Sequence, residues 1–215
     1  TKVIPGMGTI ALLKEHRHAI YAFLWLFMGF IVAFSIWYIV LPSNVNFSAQ
    51  IQTYCSINRP GNFDACVQQY IKPSSTAALT GHVTSTDRLL SIFSNNMYVL
   101  LFTLLFSLII GAGAIFILAW NATVIAAAIG IFTKSDISSL PMGLLRYMIH
   151  GIPEIGSYFI VALAGGMVSV AVIKHESGTT KFWDILQDSL NLILVAVAVL
   201  AIAAIIEVYI TPIFF

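Results

Sequence analysis

Long apolar segments alternate with short polar segments along the chain, and their lengths predict the fold. Four largely apolar stretches lie at residues 19–41, 89–133, about 144–173 and about 185–210. A helix rises about 1.5 Å per residue, so roughly 20 apolar residues cross the hydrocarbon layer of a bilayer. Three of the stretches match one crossing each. The pattern therefore predicts an all-α polytopic transmembrane bundle that forms a single domain over residues 1–215.

The stretch at residues 89–133 has no charged side chain. It is too long for one crossing of the bilayer and just long enough for two, so it must break. A break at Gly111-Ala112-Gly113 leaves two near-equal spans. A break at Trp120-Asn121 leaves a short second piece that is re-entrant or extends past Lys134. The sequence leaves both alternatives open, and either gives about five spans.

A second irregularity is expected within residues 144–173. Pro153 has no backbone N–H and frees the carbonyl of Ile149, and Gly151 and Gly156 stand close by. We therefore expect a broken helix at Gly151, Pro153 and Gly156. In lipid such a break is tolerated only where protein or water satisfies the freed groups.

Composition and charge restrict the class of protein. Of the 215 residues 59% are hydrophobic and 9% charged, which excludes a soluble domain of this size. The formal net charge is +1 and no basic run occurs, so nothing suggests a nucleic-acid partner. The lipid bilayer is the partner that the composition predicts.

Basic residues near the spans predict the orientation. Lys14 and Arg17 precede the first span, and a polar connector with two lysines covers residues 174–184. Because cytoplasmic loops are enriched in Lys and Arg, we expect the N-terminus and this connector in the cytoplasm. Five crossings then place the C-terminus and the polar region at residues 43–88 outside, in a cell membrane.

The extracytoplasmic loop at residues 43–88 carries both cysteines of the chain, Cys55 and Cys66. Their spacing in a loop rich in polar residues predicts a local disulfide, and two unpaired thiols are the alternative. Asn46 opens an Asn-Phe-Ser sequon on the same side, which is a weak prediction of glycosylation.

Ionisable side chains inside the last spans are the candidate chemistry. Glu207 lies in an apolar segment, and no basic residue follows Lys181. Such a side chain costs several kcal/mol in hydrocarbon unless a partner compensates it. If the last two spans are antiparallel, His150, Glu154 and Glu207 share one membrane level. The pair Asn95 and Asn96 reaches the same outer side, so we expect one intramembrane polar cluster.

Three interpretations of this cluster remain open. It can fix helix packing through hydrogen bonds, or it can bind and release protons or small cations. As a less favoured option, His150, Glu154 and Glu207 can supply three metal ligands. No nucleophile, phosphate-loop or dinucleotide motif occurs. We therefore predict no catalytic residue, no resident metal and no cofactor.

Four short motifs in order resemble those of the stage II sporulation protein M family of bacterial and archaeal membrane proteins. The motifs are Phe93-x-Asn95, Trp120-Asn121 followed by Gly130, His150-Gly-Ile-Pro-Glu154, and Ile206-Glu-Val-Tyr-Ile-Thr-Pro212. The resemblance covers the chain from about residue 89 onward, plus the layout of one preceding span and an outside loop. It implies five spans with a cytoplasmic N-terminus.

In endospore formers the family member looks like a membrane anchor that organises murein-degrading enzymes during engulfment. The resemblance and the lack of a catalytic set together predict a non-enzymatic scaffold or assembly partner in the cell envelope. Its expected partners are membrane or envelope proteins, with a homo-oligomer as one option. The alternative is a small ion- or proton-coupled transporter or channel, and the third option is a membrane metal-dependent hydrolase.

Overall fold

The computed structural model describes residues 9–71, 84–135, 138, 140–174 and 178–214. Five helices in this part of the chain are long and apolar enough to cross a membrane. The helices are α1 (Thr9–Glu15), α2 (Arg17–Val40), α3 (Ser43–Asn46), α4 (Ser48–Asn58), α5 (Phe63–Ile71), α6 (Ser85–Ile110), α7 (Ala114–Ser135), α8 (Leu140–Ile173), α9 (Thr180–Ile205) and α10 (Thr211–Phe214). A π-helical turn, Ile206–Ile210, joins α9 to α10. The predicted all-α polytopic bundle is confirmed, because the described residues form helices and no strand.

The long uncharged stretch breaks at Gly111, and α6 and α7 are two separate spans. Gly111 has a φ of 67°, a left-handed conformation that glycine adopts at little cost. At Gly113 an added Cβ would overlap the carbonyl group of Phe106. The alternative break at Trp120-Asn121 is wrong, since both residues lie inside α7 and keep helical hydrogen bonding.

Helix α8 runs without interruption from Leu140 to Ile173, with Pro153 inside it. The expected break at Gly151, Pro153 and Gly156 is therefore wrong. A proline removes one hydrogen bond of the helical ladder, and the remaining bonds on either side keep the helix continuous. An added Cβ at Gly151 or Gly156 would meet nothing within 4 Å, so neither glycine serves a close helix contact.

Helix α8 is the centre of the bundle and packs along both α9 and α6, while α2 packs mainly along α7. The α6–α8 crossing is close because Gly165 has no side chain. A Cβ there would lie 2.7 Å from the Cβ of Ser107. The Ser107 hydroxyl donates to the carbonyl of Ala162 at 2.7 Å across the same crossing. Small residues at this position allow the two backbones to approach.

Residues 43–71 form a small helical unit, called here the disulfide domain, which covers one end of the bundle. Cys55 and Cys66 are disulfide-bonded with their Cα atoms 5.7 Å apart, as predicted. The bridge restricts the unfolded chain and contributes about 2 to 3 kcal/mol in the loop-entropy account. The domain packs on Tyr38 of α2 and on Ala127 and Ala128 of α7. We call the end of the bundle that this domain covers the disulfide side.

The opposite end of the bundle is the N-terminal side. It carries α1, the turn at Gly111 and the connection between α8 and α9. Asn46 lies on the disulfide side, where its side-chain amide donates to the carbonyl of Pro42 at 3.1 Å. Its glycosylation stays a prediction, as does the assignment of the disulfide side to the cell exterior.

Candidate functional site

A polar cavity of about 120 Å³ lies inside the bundle on the disulfide side. Its walls come from α2, α4, α6, α7, α8 and the turn after α9. The polar side chains that line it are Tyr54, Asn95, Asn96, Asn121, Tyr147, His150, Glu154 and Glu207. The five residues that the sequence analysis grouped, Asn95, Asn96, His150, Glu154 and Glu207, all lie at this one cavity.

Antiparallel packing of the spans explains this convergence. The start of α6, the first half of α8 and the end of α9 reach the same side of the bundle. Side chains that are more than 50 residues apart in sequence therefore meet at one level. The cavity lies between those three elements and α7.

His150 and Glu207 form the closest contact between ionisable groups in the cavity. Their Nε2 and Oε2 atoms are 3.9 Å apart. Both residues are buried, with 7% and 8% of their surface exposed. The other ring nitrogen of His150, Nδ1, lies 3.5 Å from the hydroxyl of Thr211. When the imidazole is protonated, the two side chains form a buried ion pair, whose loss by removal of one partner is costly.

Glu154 accepts hydrogen bonds from its own helix and from α6. The hydroxyl of Tyr158 donates to its Oε1 at 3.0 Å. The side chain of Asn96 faces the same carboxyl from α6. The Asn95 amide donates to Oδ1 of Asn96 at 3.1 Å, which leaves the Asn96 amide nitrogen for Glu154. Glu207 is near enough for the two carboxyls to interact electrostatically.

The charge balance of the cavity follows from this arrangement. Two carboxyl groups and one imidazole line it, and no lysine or arginine is among its described lining residues. The side chain of Arg146, one turn before His150, lies outside the described part of the chain. Buried carboxylates require compensation by protons, cations or donors. The arrangement can therefore hold protons or one small cation between its oxygens.

Glu207 lies on the π-helical turn Ile206–Ile210, which the sequence analysis missed. Thr211 closes this turn, because its hydroxyl donates to the carbonyl of Ile206 at 3.1 Å. Pro212 follows and has no N–H for the carbonyl of Val208, so the regular helical ladder lacks one hydrogen bond here before α10 continues. Single π turns are frequent at functional sites. Pro212 was the available sequence signal.

Asn121 is a further cavity residue that sequence reasoning did not include in the cluster. It lies on α7 and faces the hydroxyl of Tyr158. Its side chain interacts with that hydroxyl and so connects α7 to the hydrogen bond between Tyr158 and Glu154 on α8.

A three-ligand metal site does not form in this arrangement. Among the described residues, no group of three His, Cys, Asp or Glu side chains has the spacing that holds a metal ion. His150, Glu154 and Glu207 share the cavity but stand too far apart as a set.

The fold and the cavity together define a class: a multi-pass helical membrane protein with a polar cavity inside its bundle. The sequence model of stage II sporulation protein M matches residues 19–212. The chain therefore belongs to the stage II sporulation protein M family, as its motifs indicated.

The chain is also similar in sequence to one archaeal protein. An uncharacterized protein of Methanocaldococcus jannaschii, MJ0793, is 33% identical over 129 residues. The match covers 57% of this chain and 70% of that protein. No solved structure matches the chain.

Proposed function

We propose that this membrane protein binds a small cation, protons included, in the polar cavity and carries it across the bilayer. One observation supports this most strongly: His150, Glu154 and Glu207 all line one cavity in the bundle. A purely structural hydrogen-bond cluster needs no cavity beside it. Ionisable groups that face a cavity inside a membrane are typical of ion and proton pathways.

The size and composition of the cavity support a small ligand. Its volume of about 120 Å³ is below the roughly 300 to 1,000 Å³ of sites for drug-sized molecules. Carboxylate and amide oxygens are suitable ligands for hard cations.

The packing beyond the cavity supports a pathway that opens to one side at a time. Toward the N-terminal side, the bundle is filled by a cluster of buried apolar side chains that includes Leu100, Leu118 and Leu200. Transport would require a second state in which this cluster separates. Pro153 in α8 and the π turn after α9 are irregular positions at which helices can bend.

Flux measurements in proteoliposomes test this proposal. Vesicles with an internal pH dye, and separately a sodium or potassium dye, receive an imposed potential. The wild-type protein should conduct one of these species, and Glu207→Gln and Glu154→Gln should each reduce the flux at least tenfold. Asp64→Asn is the matched control, because Asp64 is an exposed carboxylate on the disulfide side. Equal fluxes in all four proteins, or none above empty vesicles, would contradict the proposal.

A second candidate function is the assembly role, which the disulfide domain favours. This domain is a covalently closed helical unit whose buried residues rest on the end of the bundle. Its Val45 is 71% exposed and Phe63 is 37% exposed. A rigid unit with exposed apolar side chains suits an envelope-protein partner.

Crosslinking from Val45, with Ile109 as the control position, tests the assembly role. A photoreactive residue at Val45 should crosslink to a defined envelope protein in intact cells. The same residue at Ile109, which is 78% exposed on α6 near the opposite end, should not crosslink to it. Identical crosslinking patterns at both positions would reject the disulfide domain as the docking surface.

A further inference from the structure

A second cavity, of about 280 Å³, lies on the N-terminal side of the bundle. It is bounded by the start of α2, the end of α8 and the start of α9, with Gly111 between α6 and α7 at its edge. The polar cavity lies on the other side of the buried apolar cluster. The two cavities share no lining residue.

The walls and the rim of this cavity differ in chemistry. Its walls are apolar or small side chains such as Phe23, Ala162 and Gly166. Its rim carries His16, Lys174 and Lys181, and no acidic residue is among its described lining residues. A site with an apolar wall and a basic rim is complementary to a molecule with an apolar tail and an anionic head.

The α8–α9 connection brings the two lysines to one rim. Helix α8 ends at Ile173 and α9 begins at Thr180, so Lys174 and Lys181 stand at the same end of the antiparallel pair. Thr179 caps α9 by accepting from the backbone N–H of Phe182 at 3.2 Å. Asp184, one turn beyond Lys181, does not line the cavity.

His16 supplies the third basic group from the other wall. It stands between α1 and α2, and its Nδ1 lies 3.0 Å from the carbonyl of Leu12. That hydrogen bond orients the ring with Nδ1–H as the donor, and in the protonated imidazole Nε2–H is the donor that is left for a phosphate oxygen. Basic groups from α8, α9 and the α1–α2 junction thus converge on one opening at the end of the apolar spans.

We infer that this cavity binds one membrane lipid with an anionic headgroup, its phosphate at Lys174, Lys181 and His16 and part of an acyl chain along Ala162 and Gly166. Basic pockets between transmembrane helices at a membrane surface are suited to anionic lipid headgroups. Gly166 and Ala162 both line the cavity, and their small size leaves this part of the wall open to an acyl chain. The inference is independent of cation binding in the polar cavity.

Native mass spectrometry of the detergent-purified protein tests the inference with two probes. The protein is titrated with dioleoyl phosphatidylglycerol and, separately, with dioleoyl phosphatidylcholine. We expect one phosphatidylglycerol to be retained in preference to phosphatidylcholine. The double variant Lys174→Gln with Lys181→Gln should weaken this binding roughly tenfold. Replacement of both lysines by arginine should restore it.

Two matched controls separate the cavity from general surface charge. Lys14→Gln with Arg17→Gln removes two basic groups on the same side that do not line the cavity, and binding should persist. Val170→Trp fills the cavity edge from an exposed position and should weaken binding with all charges kept. Val172→Trp, also exposed on α8 but outside the cavity, should not.

Each outcome decides the inference. Equal losses of phosphatidylglycerol binding in both charge variants would mean that the lipid is attracted by surface charge. That result would overturn the inference that the lipid binds in the cavity. Equal binding by the Val170→Trp and Val172→Trp variants would also overturn the inference. So would a wild-type protein that shows no preference for phosphatidylglycerol over phosphatidylcholine. If the lysine variants do not fold, as judged by circular dichroism and gel filtration, the two valine variants decide.

Discussion

The two ends of this bundle place their charges in opposite ways. On the disulfide side, His150 and Glu207 are buried and the disulfide domain covers them. On the N-terminal side, Lys174 and Lys181 are exposed at a rim and the walls below them are apolar. Buried ionisable groups need compensation from inside the protein, whereas long basic side chains at a helix end reach water or headgroups. The first arrangement fits the small cation that we propose, and the second fits the anionic lipid that we infer.

The largest expected effect comes from removing one partner of the buried pair. His150→Leu should lower the free energy of unfolding by about 3 kcal/mol, because Glu207 then stays buried without its imidazole. Equilibrium unfolding in mixed micelles measures this change. The double variant with Glu207→Leu should recover most of the loss. A double variant that is less stable than His150→Leu would show that the two side chains do not compensate each other.

The close crossing of α6 and α8 beside the N-terminal cavity offers the next test. Gly165→Val should cost about 2 to 3 kcal/mol, because its side chain would meet Ser107 and the carbonyl of Leu104 at the α6–α8 crossing. Thermal unfolding should show a clearly lower Tm. Gly151→Ala is the control, with open space at its Cβ, and should stabilise α8 slightly. A neutral Gly165→Val would contradict the close crossing.

Removing the disulfide bond of the disulfide domain should have a smaller effect on stability. Cys55→Ser combined with Cys66→Ser should lower stability by about 2 kcal/mol through the regained freedom of the open loop. Unfolding midpoints of the oxidised wild type and the variant measure it. Ser56→Ala, exposed on the same helix, should be neutral. If the cysteine variant were as stable as the wild type, the bridge would not hold the domain on the bundle.

The smallest effect concerns a single hydrogen bond in the polar cavity. Tyr158→Phe removes the donor to Glu154 and should cost about 1 kcal/mol, as is usual for side-chain hydrogen bonds in membrane bundles. Unfolding in the same micelles measures the change. Tyr209→Phe, an exposed position after α9, provides the comparison. Equal effects at both positions would mean that Glu154 does not depend on Tyr158.

Much of the fold was predictable because the length of an apolar run directly reflects a membrane crossing. The crossings at residues 19–41 and 185–210 required nothing more. The break at Gly111 needed a choice between two positions, and only the tertiary packing of α7 decided it. The helix break expected at Pro153 did not occur, because the local loss of one hydrogen bond does not decide whether the surrounding helix stays continuous.

The cavity was less predictable than the residues around it. Charge and spacing identified His150, Glu154 and Glu207, because ionisable groups in an apolar run are rare. Asn121 belongs with them through its place on α7, which depends on how two spans rotate against each other. The π turn at Glu207 depends on Thr211 and Pro212 together, a combination that no hydrophobic pattern reports.

Infrared difference spectroscopy of the reconstituted protein most directly tests whether the polar cavity takes a positive guest. Spectra are compared across a pH step at constant salt, and then across a sodium or potassium step at constant pH. We predict a change in the carboxyl bands in at least one of the two comparisons, and its loss in Glu154→Gln with Glu207→Gln but not in Asp64→Asn. Bands that stay unchanged in both comparisons, or that change equally in the double variant, would contradict the account.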